Sequence, residues 1–281
     1  MSAVPAPVDL PTREELAAMI DHTKLKAFEK PAKIDELCEE ALEYGFAAVC
    51  VNPVHVARAA EVLKGSDVET CTVVGFPLGN NRTEIKAIET RMAVEDGATE
   101  IDMVINTGVL RAGEHAAVQD DIAAVVEASG DAHTKVILET GYLTDEEIVT
   151  GCKLSVEAGA DFVKTATGFG AFGAFEPHVR LMRETVGPDI GVKASGGVEN
   201  VREALRMIRA GANRLGVSAS IPIVEGLAMA RYNQGWLAEE IPCRICPSRV
   251  ASRSKQPKEL WLYYKEKCRD CEHREFNKFY E

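Results

Sequence analysis

No stretch of about 18 consecutive apolar residues occurs in the sequence, so nothing in it reads as a membrane-spanning helix. Positive charge is in short supply. Lys and Arg number 32 against 44 Asp and Glu, a net charge of −12, which argues against broad nucleic-acid binding by the whole chain. Met1–Leu10 lacks the basic start and apolar core of a secretory signal. Cys38, Cys50, Cys71 and Cys152 lack the spacing of a disulfide framework and fit buried thiols in a reducing cytosol, so a cytoplasmic protein is expected. No Gly-x-Gly-x-x-Gly follows the first apolar run, which removes the dinucleotide-binding fingerprint.

What is present is a long alternation of strand-like and helix-like segments. Thr12 followed by Glu15 has capping-box spacing, and Pro31 suits the first turn of a helix over Pro31–Tyr44. Apolar runs near Ile20–Thr23, Phe46–Asn52, Glu69–Phe76, Glu100–Asn106, Thr134–Thr140, Asp161–Thr167, Ile190–Ser195 and Arg214–Ser218 predict eight strands. Between them, Ile85, Ile88 and Met92, then Val179, Met182 and Val186, then Val201, Leu205 and Ile208 fall at helical spacing. Gly45, Gly97, Gly159 and Gly211 each stand where a helix would end before a strand. Strands alternating with helices pair in parallel through right-handed crossovers. Eight such units predict an α/β fold, a (β/α)₈ barrel, with an open doubly wound sheet as the alternative. The expected organisation is a loose lead-in at 1–11, a barrel at 12–238 and a separate tail at 239–281.

The chemistry centres on two lysines placed inside apolar strands, Lys164 in Asp161–Gly168 and Lys193 in Asp189–Gly197. Burying an unpaired ammonium is costly, and a desolvated amine that gives up its proton becomes a nucleophile. The reading is that Lys164 forms a Schiff base with a carbonyl substrate and Lys193 keeps it neutral, each lysine depressing the other. The alternatives are strand-edge lysines with their heads in water, or a buried Asp–Lys salt bridge. Strand alternation turns Asp102 inward with Val104 and Asn106, and puts Lys164 and Lys193 on the same interior face. Barrels often bind phosphate on the loops after strands seven and eight, here read as Gly196-Gly197-Val198 and Gly216-Val217-Ser218, with Gly168 as a third edge.

These motifs carry a resemblance. Glu-Ile-Asp-Met-Val-Ile-Asn around Asp102, Val-Lys-Thr-Ala-Thr-Gly-Phe around Lys164, Val-Lys-Ala-Ser-Gly-Gly-Val around Lys193, Ala48–Pro53 and Ile20–Thr23 together resemble the deoxyribose-phosphate aldolase family over about residues 12–230. The resemblance implies a cofactor-free class I aldolase that cleaves 2-deoxy-D-ribose 5-phosphate to D-glyceraldehyde 3-phosphate and acetaldehyde. It implies Lys164 as the Schiff-base residue, Lys193 as its tuner and Asp102 as a proton relay, with Thr165 or Thr167 as a helping hydroxyl. Thr23 joins Gly168, Gly196, Gly197, Gly216 and Ser218 in the expected substrate and phosphate set. The expected partners are a phosphorylated sugar and a second copy of the chain as a dimer, with no membrane and no nucleic acid. The sequence departs from some relatives at Phe169, Glu199 and Ala219, which removes positive charge and one hydroxyl from that set. Another phosphosugar Schiff-base lyase is the neighbouring reading.

Past Trp236 the resemblance ends and the charge balance reverses: residues 241–281 hold ten basic and six acidic residues, leaving 22 and 38 in the remainder. Cys243-x₂-Cys246 and Cys268-x₂-Cys271 can close a tetrahedron of thiolates, so a structural zinc is expected there. His273 is a substitute ligand and an iron–sulfur centre is the alternative. A rival to the aldolase reading is a binding or regulatory protein whose barrel is a scaffold for this tail, which docks a partner.

Overall fold

A computed structural model describes residues 10–228. The lead-in through residue 9, the boundary near 238 and the four tail cysteines lie outside the described residues. The strands are β1 (Ile20–Lys24), β2 (Ala48–Val51), β3 (Glu69–Val74), β4 (Glu100–Val104), β5 (His133–Ile137), β6 (Phe162–Lys164), β7 (Gly191–Ser195) and β8 (Arg214–Val217). Each falls on one of the eight expected runs. All neighbours pair in parallel, and β8 returns to β1, so the sheet closes into a barrel. The alternative of an open sheet is thereby excluded.

The helices among the described residues are α1 (Arg13–Ala17), α2 (Pro31–Tyr44), α3 (Val56–Leu63), α4 (Thr83–Glu95), α5 (Thr107–Arg111), α6 (His115–Ser129), α7 (Asp145–Glu157), α8 (Glu176–Val186), α9 (Val201–Arg209) and α10 (Ser220–Glu225). None is long and apolar enough to cross a membrane. Local chemistry sets their ends. Thr12 and Glu15 form a reciprocal capping box on α1, Thr144 and Glu147 do the same on α7, and Pro31 opens α2. Gly45, Gly97, Gly159 and Gly211 all take positive φ where a helix hands over to a strand.

Strand alternation then sorts the side chains into two cores. Outward residues such as Ile101, Met103, Val136, Val163, Val192 and Leu215 join the layer under the helices. Val179 and Met182 on α8, and Val201 and Leu205 on α9, complete it from the helical side. The inward residues Ala48, Cys50, Cys71 and Val73 form a separate small apolar wall inside the barrel. Beside it the interior gathers the charged side chains Asp21, Glu100, Asp102, Lys135, Lys164, Lys193 and Arg214.

Helix α4 turns its apolar stripe outward. Its apolar stripe, Ile85, Ile88 and Met92, is 49%, 43% and 59% exposed, so it is not the core face. The inward face carries Lys86, Ala87, Thr90 and Ala93. Lys86 is fully buried, pairs with Asp121 of α6 at 2.5 Å and donates to the Val104 carbonyl at 2.9 Å. Periodicity locates a stripe on a helix but does not say which side another element covers. A polar inner face that is fully hydrogen-bonded satisfies the interior, and the apolar stripe is left outside.

Candidate active site

One carboxylate organises the barrel interior. Asp102, on β4, is fully buried. Its Oδ2 accepts from Lys164 Nζ at 2.6 Å and from Lys193 Nζ at 2.7 Å. Its Oδ1 lies 3.0 Å from Lys135 Nζ and accepts from the Cys71 thiol at 3.3 Å. The register explains the convergence: Asp102 stands opposite Lys135, and Lys164 opposite Lys193, on neighbouring strands. Across the barrel, Asp21 of β1 accepts from Lys193 and from Arg214 Nη1, the latter at 2.7 Å. Glu100 binds Lys135 at 2.5 Å and Arg214 at 3.2 Å. Lys135, Lys164, Lys193 and Arg214 thus face Asp21, Glu100 and Asp102 in one network, with one cation more than there are carboxylates.

The electrostatics follow from this crowding. Burial pushes Asp102 upward, but Lys135, Lys164 and Lys193 outweigh it and hold the carboxyl well below the usual range. Asp21 is likewise lowered against its own burial by Lys193, Lys135 and Arg214. Burial alone would lower Lys193, yet Asp102 and Asp21 together raise it above the ordinary lysine range. The expectation that the two lysines depress each other therefore fails at Lys193. It overlooked the second carboxylate, Asp21, which holds Lys193 as a cation.

The rim is built from the turns after β6 and β7. Gly168, Gly196 and Gly197 all have positive φ, at 85°, 87° and 73°. The two turns touch: a Cβ on Gly196 would sit 3.3 Å from Gly168 Cα and 2.8 Å from Gly173 Cα. Ala174 N–H closes the contact by donating to the Gly196 carbonyl at 2.8 Å. Gly216 is not in a turn, contrary to expectation. It lies within β8, where a Cβ would come 2.8 Å from Lys193 Cε, so its smallness makes room for that side chain. Ser218, the first residue past β8, is exposed. Thr23, on β1, spends its hydroxyl on the Asp21 carbonyl at 2.8 Å. The hydroxyls of Thr165 and Thr167 are also engaged, by Ser195 backbone groups and by Glu139 Oε2 respectively. Phe169 is 55% exposed and packs edge-on against Phe76, while Glu199 is exposed with its N–H on Glu203.

Sequence reasoning missed Asp21, Glu100, Lys135 and Arg214 as members of the cluster. Lys135 carried the same signal as Lys164, a lysine in the apolar run Thr134-Lys135-Val136-Ile137-Leu138. Glu139 was missed as well. Its carboxyl is pushed up by burial, against the pull of Thr167 and Lys164. Cys50, Cys71 and Asp102 bring ligand atoms within 4.8 Å of one another. Three ammonium groups already occupy the carboxylate, a poor setting for a further cation. The buried network therefore sets amines on a buried carboxylate inside the barrel, a clustering of titratable groups that marks a candidate site.

Known proteins share this architecture. Residues 15–231 match the DeoC/LacD family aldolase. A deoxyribose-phosphate aldolase of Exiguobacterium sibiricum is 61% identical over 212 residues, covering 75% of this chain and 96% of the relative. One from a Geobacillus species is 59% identical over 212 residues, covering 75% and 95%. The solved deoxyribose phosphate aldolase of Aeropyrum pernix, described as a tetramer, superposes with a TM-score of 0.74 at 32% identity, covering 78% of this chain and 93% of that one. With its barrel closed and the match running through all eight strands, the chain belongs to the DeoC/LacD aldolase family.

Proposed function

We propose that the chain cleaves 2-deoxy-D-ribose 5-phosphate reversibly to D-glyceraldehyde 3-phosphate and acetaldehyde, through a Schiff base on Lys164. The observation that carries this reading is the Asp102 oxygen shared by Lys164 and Lys193. With Lys164 neutral, three cations face three carboxylates and the interior is balanced. The amine adds to C1 of the open-chain sugar, and loss of water gives an iminium that withdraws electrons. Removal of the C3 hydroxyl proton lets the C2–C3 bond break, leaving an enamine that is protonated at C2 and hydrolysed. Asp102 is the proton carrier next to the nitrogen, and Lys193 is a fixed positive charge beside it. The turns at Gly168, Gly196 and Gly197, with Ser218, offer backbone N–H groups to the phosphate. The iminium is the electron sink, so the steps call for no metal or cofactor.

The test is reductive trapping. Acetaldehyde and borohydride should leave an ethyl group on Lys164, located by peptide mass spectrometry. Labelling spread over surface lysines, or none on folded protein, would overturn the mechanism.

The same reading extends to assembly and to the tail. The exposed α4 stripe of Ile85, Ile88 and Met92 suits a contact between two copies, which makes a dimer the proposed state. The buried free thiols Cys38, Cys50, Cys71 and Cys152 accord with a cytosolic protein. We divide the chain at about residue 238, and the spacing of Cys243, Cys246, Cys268 and Cys271 supports a zinc site in the tail. A native mass spectrum should show two chains, each with one zinc, and Met92→Asp should shift the mass to one chain. A metal-free wild type would remove the zinc proposal, and a wild-type monomer the dimer.

A further inference from the structure

Glu139 follows β5 by two residues and takes φ 54° and ψ 59°, the sole non-glycine with positive φ among the described residues. Such strain persists only where the surroundings enforce it. Here they do. The Glu139 carbonyl accepts from Tyr142 N–H at 2.9 Å. Its Oε2 accepts from Thr167 N–H at 3.1 Å and Thr167 Oγ1 at 2.5 Å, and that hydroxyl accepts from Phe169 N–H at 3.0 Å. The residue is 3% exposed, and its Oε1 is buried without a hydrogen-bond partner. The loop crosses the carboxylate so closely that a Cβ on Gly170 would lie 2.5 Å from Oε1. A mere brace for a turn needs neither a buried carboxyl with an unbonded oxygen nor a left-handed glutamate.

We propose that Glu139 is a positioning residue that sets the turn after β6 for the distal, phosphate-bearing end of the substrate. Through Thr167 and the Phe169 amide it fixes Gly168 against Gly196, four residues beyond Lys164 in the rim that faces the sugar's far end. Gly173 locks the other side: a Cβ there would sit 2.0 Å from the Gly196 carbonyl oxygen. The inference rests on the reading that these glycine turns receive phosphate. Glu139 touches neither the reacting carbon nor Lys164 in the hydrogen-bond network, so its influence falls on binding of the far end more than on the amine chemistry.

The test compares two substrates, 2-deoxyribose 5-phosphate and 2-deoxyribose. Glu139→Gly removes the carboxylate and suits the left-handed backbone, so the fold should survive. It should raise KM for the phosphorylated sugar by about tenfold or more, and change kcat/KM for the unphosphorylated sugar by less than about threefold. Borohydride trapping at Lys164 should persist. Glu139→Gln, which keeps an acceptor for Thr167, should restore most of the loss. Equal losses on both sugars, or no loss on either, would overturn the proposal. If Glu139→Gly does not fold, Glu139→Asn, which tolerates the left-handed backbone and is too short to hold Thr167 in the same way, is judged by the same ratio. A wild type that neither traps nor turns over would instead sink the aldolase reading.

Discussion

Lys164→Met is expected to lower kcat for deoxyribose-phosphate cleavage by about 10⁴-fold or more, since the whole covalent route disappears with its nucleophile. The same variant should remain folded. Methionine keeps most of the stem of a side chain that is only 3% exposed. Asp102 retains Lys193 at 2.7 Å and Lys135 at 3.0 Å, so its charge is not stranded. The interior then holds three cations against three carboxylates, the balance proposed for the reactive state. Thermal unfolding should therefore shift by only a few degrees, while acetaldehyde release in a coupled assay falls to background. Activity within about tenfold of wild type would remove Lys164 from the chemistry. Loss of activity together with loss of the folded state would show instead that Lys164 serves chiefly to neutralise Asp102.

The barrel was legible because its signals are local. Strand runs, helix-ending glycines, the Thr12 cap and Pro31 each depend on a few neighbouring residues, and all of them stand where the sequence puts them. Alternation also sufficed to turn Asp102, Lys164 and Lys193 inward, because a strand has two faces and the apolar one meets the helices. Partners were harder. Asp21 reaches Lys193 from 172 residues away, and only closure of the barrel brings β1 beside β8, the neighbour of β7. Without that closure Lys193 looked like a repelled neighbour of Lys164, when it is a cation held by two carboxylates. Glu139 was invisible for a related reason: a left-handed glutamate has no sequence signature, and its meaning lies in the loop folded over it. Gly216 shows the converse error, a glycine read as a turn whose role is the space it leaves for another side chain.

Asp102→Asn should be the most damaging single change to the molecule as a whole. Asparagine keeps the shape and removes the charge that Lys135, Lys164 and Lys193 share within 3.0 Å. Stranding buried charges costs about 3–5 kcal/mol, which in a domain of this size lowers the melting temperature by about 10 °C. Activity should fall as well, by about 10²–10⁴-fold, the usual worth of a positioned acid/base group. The pH dependence separates the two roles. Asp102 and Asp21 both lie below the ordinary carboxylate range in the folded protein. In the unfolded chain they take up protons near pH 4, so stability rises with pH wherever the unfolded state binds more of them. Their contribution is complete above about pH 5 and drains away as pH falls below about 4 toward the folded values. Urea unfolding between pH 3 and pH 7 should therefore show a steep acid loss in the wild type and a flatter one in Asp102→Asn, which has one such carboxylate fewer. If the variant instead keeps the wild-type midpoint and the wild-type acid slope, Asp102 is not the hub of the buried network. The shared Asp102 oxygen that carries the proposed mechanism would then lose its energetic support.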